Sequence, residues 1–419
     1  MAVASIRGRL APLNTPNLRS YWLNAVVSAF GDSVTSIALT LMVLRETGSL
    51  SLMATMSIVV IVPGIVFGIL SATWVDRWDA RCVVVVSQVV RALLILGLVY
   101  VDLGHHLWVA FVLAACQSLV GTFDDPARAR IIRTITDDAT RLSVNSLTSS
   151  GKMIASMLGT TVGGGLVGSL DLFWPAFVVN SLTFLLGAGA ISRLRGIYTP
   201  VRSPMAPGDG TSRFREDVLD GIRAIRHSPV LTAVVMTASA STIGLSAATI
   251  MLTPLIVDEL RLQPAWFGAI EGAQSSSAIL VALAVGVFGR SLDPKRVVVI
   301  GMVATGIVIG MIGLALNIWT LLATMFLVGM TITPVGSGFS TLLQTHAPKA
   351  MIGRVAAAMN TCIQTFSVAS MAVAGVLGDT IGVRPVFWMA GIVCVGAGVL
   401  ARLLFQGTSA PAIQEPVCE

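Results

Sequence analysis

Apolar residues in this chain come in long unbroken runs, without the regular polar interruptions of a half-buried helix or strand. Twelve runs approach the roughly 20 residues that a helix needs to cross a hydrocarbon core at ~1.5 Å per residue. They fall at 21–44, 52–74, 82–101, 107–123, 142–167 and 173–191, then at 230–257, 265–288, 297–316, 319–343, 355–377 and 386–405. The fourth is short, so it either extends beyond its apolar run or tilts. The pattern predicts an all-α membrane protein of twelve transmembrane helices in two six-helix bundles. These occupy residues 21–191 and 230–405, joined by a polar linker at 192–229, with tails at 1–20 and 406–419. Within the linker, Phe214, Val218, Ile222 and Ile225 recur at helical spacing beside Arg215, Arg223 and Arg226. That spacing predicts a short helix, either amphipathic and lying on the membrane surface or a solvated connector.

Composition supports the same class. The chain of 419 residues is 55% hydrophobic and only 11% charged, against roughly 25% charged residues in ordinary soluble domains. Mean hydropathy is +0.85. So few charges cannot clothe a water-facing surface, and most of the outside must meet lipid. Arg7, Arg9 and Arg19 precede a first run too long for a signal-peptide core, which is therefore expected to be retained. The formal charge of +6 includes no basic run interleaved with aromatics, so nucleic acid is not an expected partner. The five cysteines are scattered and show neither zinc-site nor disulfide spacing; no metal or cofactor is expected.

Orientation follows from the placement of charge. With the N-terminus inside, the outer loops hold only Arg45, Arg261 and Arg384 of the 27 basic residues. All eight tryptophans fall near the ends of runs, as an interfacial belt requires. Both termini are therefore expected in the cytoplasm of a multi-pass protein of the cell membrane.

Polar residues inside the runs mark candidate chemistry. Asp32 sits near the middle of the first run, where a carboxylate costs about 2.5–3.5 kcal/mol to insert. Such a residue usually faces a cavity and serves a proton or a cationic substrate; the alternative is a structural carboxylate bonded within its own bundle. Glu271, two turns into the eighth run, is a second proton-coupling candidate or a gate carboxylate near outer water. Arg91 is expected to snorkel toward the inner face rather than pair with a buried acid. Asn24, Ser28, Gln117, Asn145, Ser241, Gln274, Asn360, Gln364 and Phe366 are cavity candidates, set against the ordinary use of such residues as glue between helices.

The seam after the second run reads GILSATWVDRWDAR, from Gly68 to Arg81. A weaker echo, SLDPKR from Ser291 to Arg296, aligns Asp79 with Asp293 and Arg81 with Lys295. A charged hinge recurring at half the chain length suggests two like halves, an arrangement of transporters with a ligand site between the repeats.

Gly68–Arg81 resembles the loop-2/3 signature of the major facilitator superfamily. FGDSVTSIAL at Phe30–Leu39, TGS at Thr47–Ser49, VVSQVVRALL at Val85–Leu94, the stretch Asp124–Leu147 and DVLDGIRAIRHSPVL at Asp217–Leu231 resemble its drug:proton antiporter branch, which includes macrolide-efflux and enterobactin-exporter proteins. The resemblance implies a latch in the hinge. Asp76 would face the positive N-terminal end of the eleventh helix, near Arg354 and Val355, while Arg77 and Arg81 would pair with Asp137 or Asp138. It also implies that Gly159, Gly163 and Gly164 stand in for the branch's antiporter motif, with Thr160 where the motif has proline, and that Gln117 stands where many proton-coupled members carry arginine.

The expected function is secondary active export of a lipophilic or amphipathic small molecule in exchange for protons, by a protein expected to be monomeric. The alternatives are a proton-independent facilitator or importer, and a membrane sensor that transports nothing. No His-Glu-x-x-His set or phosphate-cradling loop argues for an enzyme or an ATP-driven pump.

Overall fold

The computed structural model describes residues 15–75, 77–104, 106–170, 172–196, 222–288, 293–348 and 351–406. Among the described residues every regular element is helical. The first half comprises α1 (Pro16–Thr47), α2 (Leu50–Val75), α3 (Ala80–Gly104), α4 (Leu107–Gly121), α5 (Asp124–Ile135), α6 (Asp138–Leu170) and α7 (Trp174–Ser192). The second comprises α8 (Pro229–Pro254), α9 (Trp266–Phe288), α10 (Pro294–Ile312), α11 (Ile318–His346), α12 (Ile352–Ile381) and α13 (Val383–Gln406). In the linker, residues 222–227 are helical; Phe214, Arg215 and Val218 of the expected linker helix lie outside the described residues.

Ten helical spans among the described residues are long and apolar enough to cross a membrane. The short fourth run extends: α4 continues through a bend into α5, and together they cover Leu107–Ile135. Tyr100, Ile300 and Ile392 are exposed on the outside of the bundle, a disposition that suits contact with lipid chains. The 33 residues of α6 and the 23 of α9 lie among these helices.

Local sequence sets the helix ends. Pro16 opens α1 after an extended Thr15, and Gly48 closes it with φ 62°, its N–H bonded to the Leu44 carbonyl at 2.8 Å. Asn317 and Thr320 form a reciprocal capping box at the start of α11. Asp79 and Asp293 each occupy the equivalent cap position: the first accepts from the Cys82 N–H at 3.0 Å, the second from the Lys295 N–H at 3.0 Å. The repeat read in the sequence thus has a local cause, since both loops need an acid to start the next helix.

In the first half α1 packs on α6 and α7, and α3 on α4 and α7; in the second α8 packs on α12 and α13, and α10 on α11 and α13. The halves meet along two seams, α2 against α12 and α6 against α9. The buried apolar residues show where these seams close. One cluster is shared by both halves, running through Leu50, Met53 and Ala54 of α2, Met251 and Leu255 around the end of α8, and Met371 and Ala374 of α12. At the opposite end each half has its own core, one around Tyr21, Val84 and Ile131, the other around Val298, Phe339 and Ala401. The molecule is therefore joined at one end and forked at the other.

Candidate functional site: a charged cavity between the halves

A cavity of about 660 Å³ opens between the halves. Its charged wall belongs wholly to the first half and carries Asp32, Arg91, Asp124, Asp125, Arg128 and Lys152, whereas the second half contributes only Thr249, Ile250 and Met371.

Arg91 is the hub. Its Nη2 donates to Asp32 Oδ1 at 2.8 Å and its Nη1 to Asp124 Oδ2 at 3.2 Å. Its guanidinium carbon lies 4.2 Å from the centre of the Phe184 ring. The side chain is only 10% exposed, so the expectation that it snorkels to the inner face is corrected. A guanidinium in a dry interior needs counter-charge, and two carboxylates and an aromatic face supply it nearer than any headgroup. Arg128 extends the cluster, with Nη2 at 3.6 Å from Asp124 Oδ2. With its amide oriented to suit its neighbours, Gln88 accepts from Arg128 at 2.7 Å and from Ser28 at 3.1 Å, and donates to the Phe184 carbonyl.

Asp32 differs from Asp124 in one respect. The Asp124 side chain is 6% exposed and that of Asp32 is 42% exposed. Asp32 spends one oxygen on Arg91 and lines the cavity, its other oxygen having no partner among the described residues. Beside it, Ser33 and Ser156 share a hydrogen bond of 2.7 Å, and Ser156 donates onward to Glu271 Oε1 at 3.0 Å. Since Ser156 gives its proton to Glu271, Ser33 is the donor to Ser156. The two carboxylates singled out in the sequence are thus linked through adjacent residues and a pair of hydroxyls that bridge the α6–α9 seam.

A second carboxylate also crosses between halves. Asp379, near the end of α12, accepts from the backbone N–H groups of Leu50 at 2.7 Å and Ser51 at 3.0 Å, and from the Ser49 hydroxyl at 3.1 Å. The Ser51 hydroxyl also donates to it. The first turn of α2 is therefore capped by the other half of the molecule, where unsatisfied N–H groups and the helix dipole both favour an anion. On the other seam, the Pro264 backbone lies where a side chain at Gly164 would have to go. Gly159 and Gly163 meet the backbone of Phe30 and Val34 in the same way, which seats α6 on α1.

Of the remaining cavity candidates, Ser28 and Gln117 line the cavity. Asn24 is buried between α1, α3 and α7 beside Gly187. Ser241 is buried and bonds the Ala238 carbonyl at 2.8 Å, and Gln274 packs its backbone on Gly329 of α11. Asn145, Asn360 and Phe366 are exposed, and Gln364 is half-buried. Within the hinge, Asp76 lies outside the described residues; Gly68 is half-buried and Arg77 exposed. Arg81 donates to the Ser192 carbonyl, and the side chain of Asp138 lies outside the described residues. Asp293 pairs with Arg296 at 3.7 Å, Lys295 is half-buried and Arg354 exposed. Sequence reasoning did not single out Arg128, Lys152, Gln88 or Asp379. Asp379 lies toward a span end and Arg128 beside a loop, Lys152 follows the polar stretch SLTSSG, and Gln88 sits inside the third run, where a polar residue is ordinarily read as glue between helices.

Two helical bundles closed over a polar cavity inside an apolar exterior define a membrane transporter. The comparisons with known proteins place it further: the Major Facilitator Superfamily model matches residues 21–370 and 240–416, and the chain belongs to that family. It is 23% identical to the multidrug efflux pump Tap of Mycolicibacterium fortuitum over 394 residues, covering 91% of this chain and 93% of that protein. It is 24% identical to the MFS-type transporter YfiS of Bacillus subtilis over 401 residues, covering 93% of each. Among solved structures, a bacterial homologue of the human lysosomal transporter Spinster, in an inward-facing and unoccupied conformation, superposes with a TM-score of 0.73 at 10% identity. That match covers 94% of this chain and 98% of the other.

Proposed function

We propose that this protein exports a lipophilic or amphipathic small molecule across the bacterial plasma membrane in exchange for protons, by alternating access. It does so as a monomer of twelve spans, with α6 and α9 completing two six-helix bundles, the linker at 192–229 joining them, and both termini in the cytoplasm. In that orientation the joined end faces out and the forked end faces in, so the cavity opens to the cytoplasm. The name of Tap, a multidrug efflux pump, supports the direction of transport.

The observation that carries the reading is the Asp32–Arg91–Asp124 arrangement. Asp32 holds Arg91 with one oxygen and lines the cavity. A proton arriving at Asp32 removes its charge, and Arg91 is left to Asp124 alone; a substrate can then occupy the space beside a neutral Asp32 only at different cost. Substrate and proton therefore compete for one carboxylate, which is what exchange requires. The Ser33–Ser156–Glu271 chain ties the residue next to Asp32 to the seam that must part when the outer end opens.

The test uses purified protein in liposomes with an internal pH dye and an imposed proton gradient. Lipophilic cations, macrolides and catecholate siderophores are added one at a time to wild type and Asp32→Asn. Proton movement triggered by one compound and lost in the variant supports exchange through Asp32. Substrate flux without proton movement leaves a facilitator. No flux for any compound removes the transport assignment proposed for this cavity.

A further inference from the structure

The charge inventory of the cavity narrows its ligand. Three acids, Asp32, Asp124 and Asp125, and three bases, Arg91, Arg128 and Lys152, line it, so the wall is formally neutral yet strongly charged. Most of that charge is spent internally, since Arg91, Asp124 and Arg128 form one buried cluster. Three charges are left for a ligand. Two are acidic, the second oxygen of Asp32, on a side chain 42% exposed, and the exposed Asp125. The third is the ammonium of Lys152, exposed on α6 with no carboxylate among the described residues within salt-bridge distance. The facing wall carries Ile250 and Met371 and no ionisable group.

A cation that reached Asp32 would also meet Lys152 and Arg91, and an anion that reached Lys152 would also meet Asp32 and Asp125. Each single-sign ligand finds one attraction and at least one repulsion in a space too confined for bulk water to screen it fully. A ligand bearing both signs turns both contacts into attractions. We propose that the cavity selects amphipathic zwitterions, with the ammonium toward Asp32, the carboxylate toward Lys152 and the apolar body against Ile250 and Met371. This rests on the cavity being the transport site and replaces the lipophilic cation that a lone buried Asp32 suggests in the sequence.

One molecule in three charge states makes the test: 4-phenyl-L-phenylalanine, its methyl ester (a cation) and its N-acetyl derivative (an anion). Binding of each to the purified full-length protein is measured by titration at about pH 6, where the amine of the ester is charged, for wild type, Lys152→Met and Lys152→Arg. The zwitterion is expected to bind about tenfold tighter than either derivative, the worth of one charge-assisted contact. In Lys152→Met the advantage over the ester should vanish while the ester itself binds no worse; Lys152→Arg should keep it. Because Lys152 is exposed, a change in the ratio is not a folding effect, and an unaltered elution profile on gel filtration confirms that. An ester that equals or beats the zwitterion in wild type overturns the proposal, as does a ratio unmoved by Lys152→Met. Should none of the three bind while tetraphenylphosphonium is transported, this proposal falls and the export reading stands. Should tetraphenylphosphonium and every compound of the flux panel also fail to move, both fall.

Discussion

The two ends of this molecule are built on different rules. At the joined end the halves touch through groups that need each other: Asp379 of α12 satisfies the N–H groups of Leu50 and Ser51, and Gly164 accepts the Pro264 backbone against its bare α-carbon. At the forked end three charged groups stay at home. Asp79 caps its own helix, Asp293 caps its own, and Arg81 bonds a carbonyl of its own half. One end is held by interactions that opening must break, the other by interactions that opening leaves alone. The difference separates what holds one end shut from what shapes each half.

The comparison breaks most severely at Gly164. In Gly164→Val the new side chain overlaps the Pro264 carbonyl, and overpacking of this sort costs about 1–3 kcal/mol. Spin labels at Thr47 and Thr380 are expected to move apart and their distance distribution to broaden. An unchanged distribution would mean that the α6–α9 contact does not hold the end closed. Next comes Asp379→Ala, which strips the first turn of α2 of its anion at a cost of up to ~2 kcal/mol. The same labels should report a larger open fraction, and Asp379→Asn, which keeps an acceptor, should fall between. Glu271→Gln is milder, about 1 kcal/mol, since the amide oxygen still accepts from Ser156; its effect should be largest on proton coupling in the liposome assay and small on the label distance. Smallest on opening are Asp79→Ala and Asp293→Ala. Each is expected to lower thermal stability by about 1 kcal/mol through a lost helix cap while leaving the label distance where it was. If either cap variant opened the joined end, the separation of roles between the two ends would be wrong.

What the sequence disclosed and what it hid follow from one-dimensional and three-dimensional contrast. A long apolar run has one dominant physical meaning, so the all-helical membrane architecture was legible, while the short fourth run left extension and tilt both open until the structure showed extension. Asp32 was legible because a carboxylate stands out against twenty apolar neighbours. Asp124, Arg128, Lys152 and Asp379 stand near loops or in polar stretches, where charge is expected, and only packing reveals that three of them face one cavity and the fourth crosses to the other half. Arg91 was misjudged because snorkelling depends on depth alone, whereas its partners come from α1 and α5. Asn145 and Asn360 show the converse: they are polar at span depth yet do not line the cavity.

The contact of Gly164 and Gly168 with Pro264 has a mechanical side. It acts as a fulcrum, and α6, at 33 residues, is a lever roughly 50 Å long. From that contact to the far tip is about 40 Å, so rocking by about 10° displaces the tip by about 7 Å, while the fulcrum itself shifts by a fraction of that. A passage wide enough for a small molecule is then obtained from a nearly stationary joint, without any helix having to bend. In the exchange proposed above, leverage would set the width of cargo admitted, and the side chains of the cavity its charge and apolar fit.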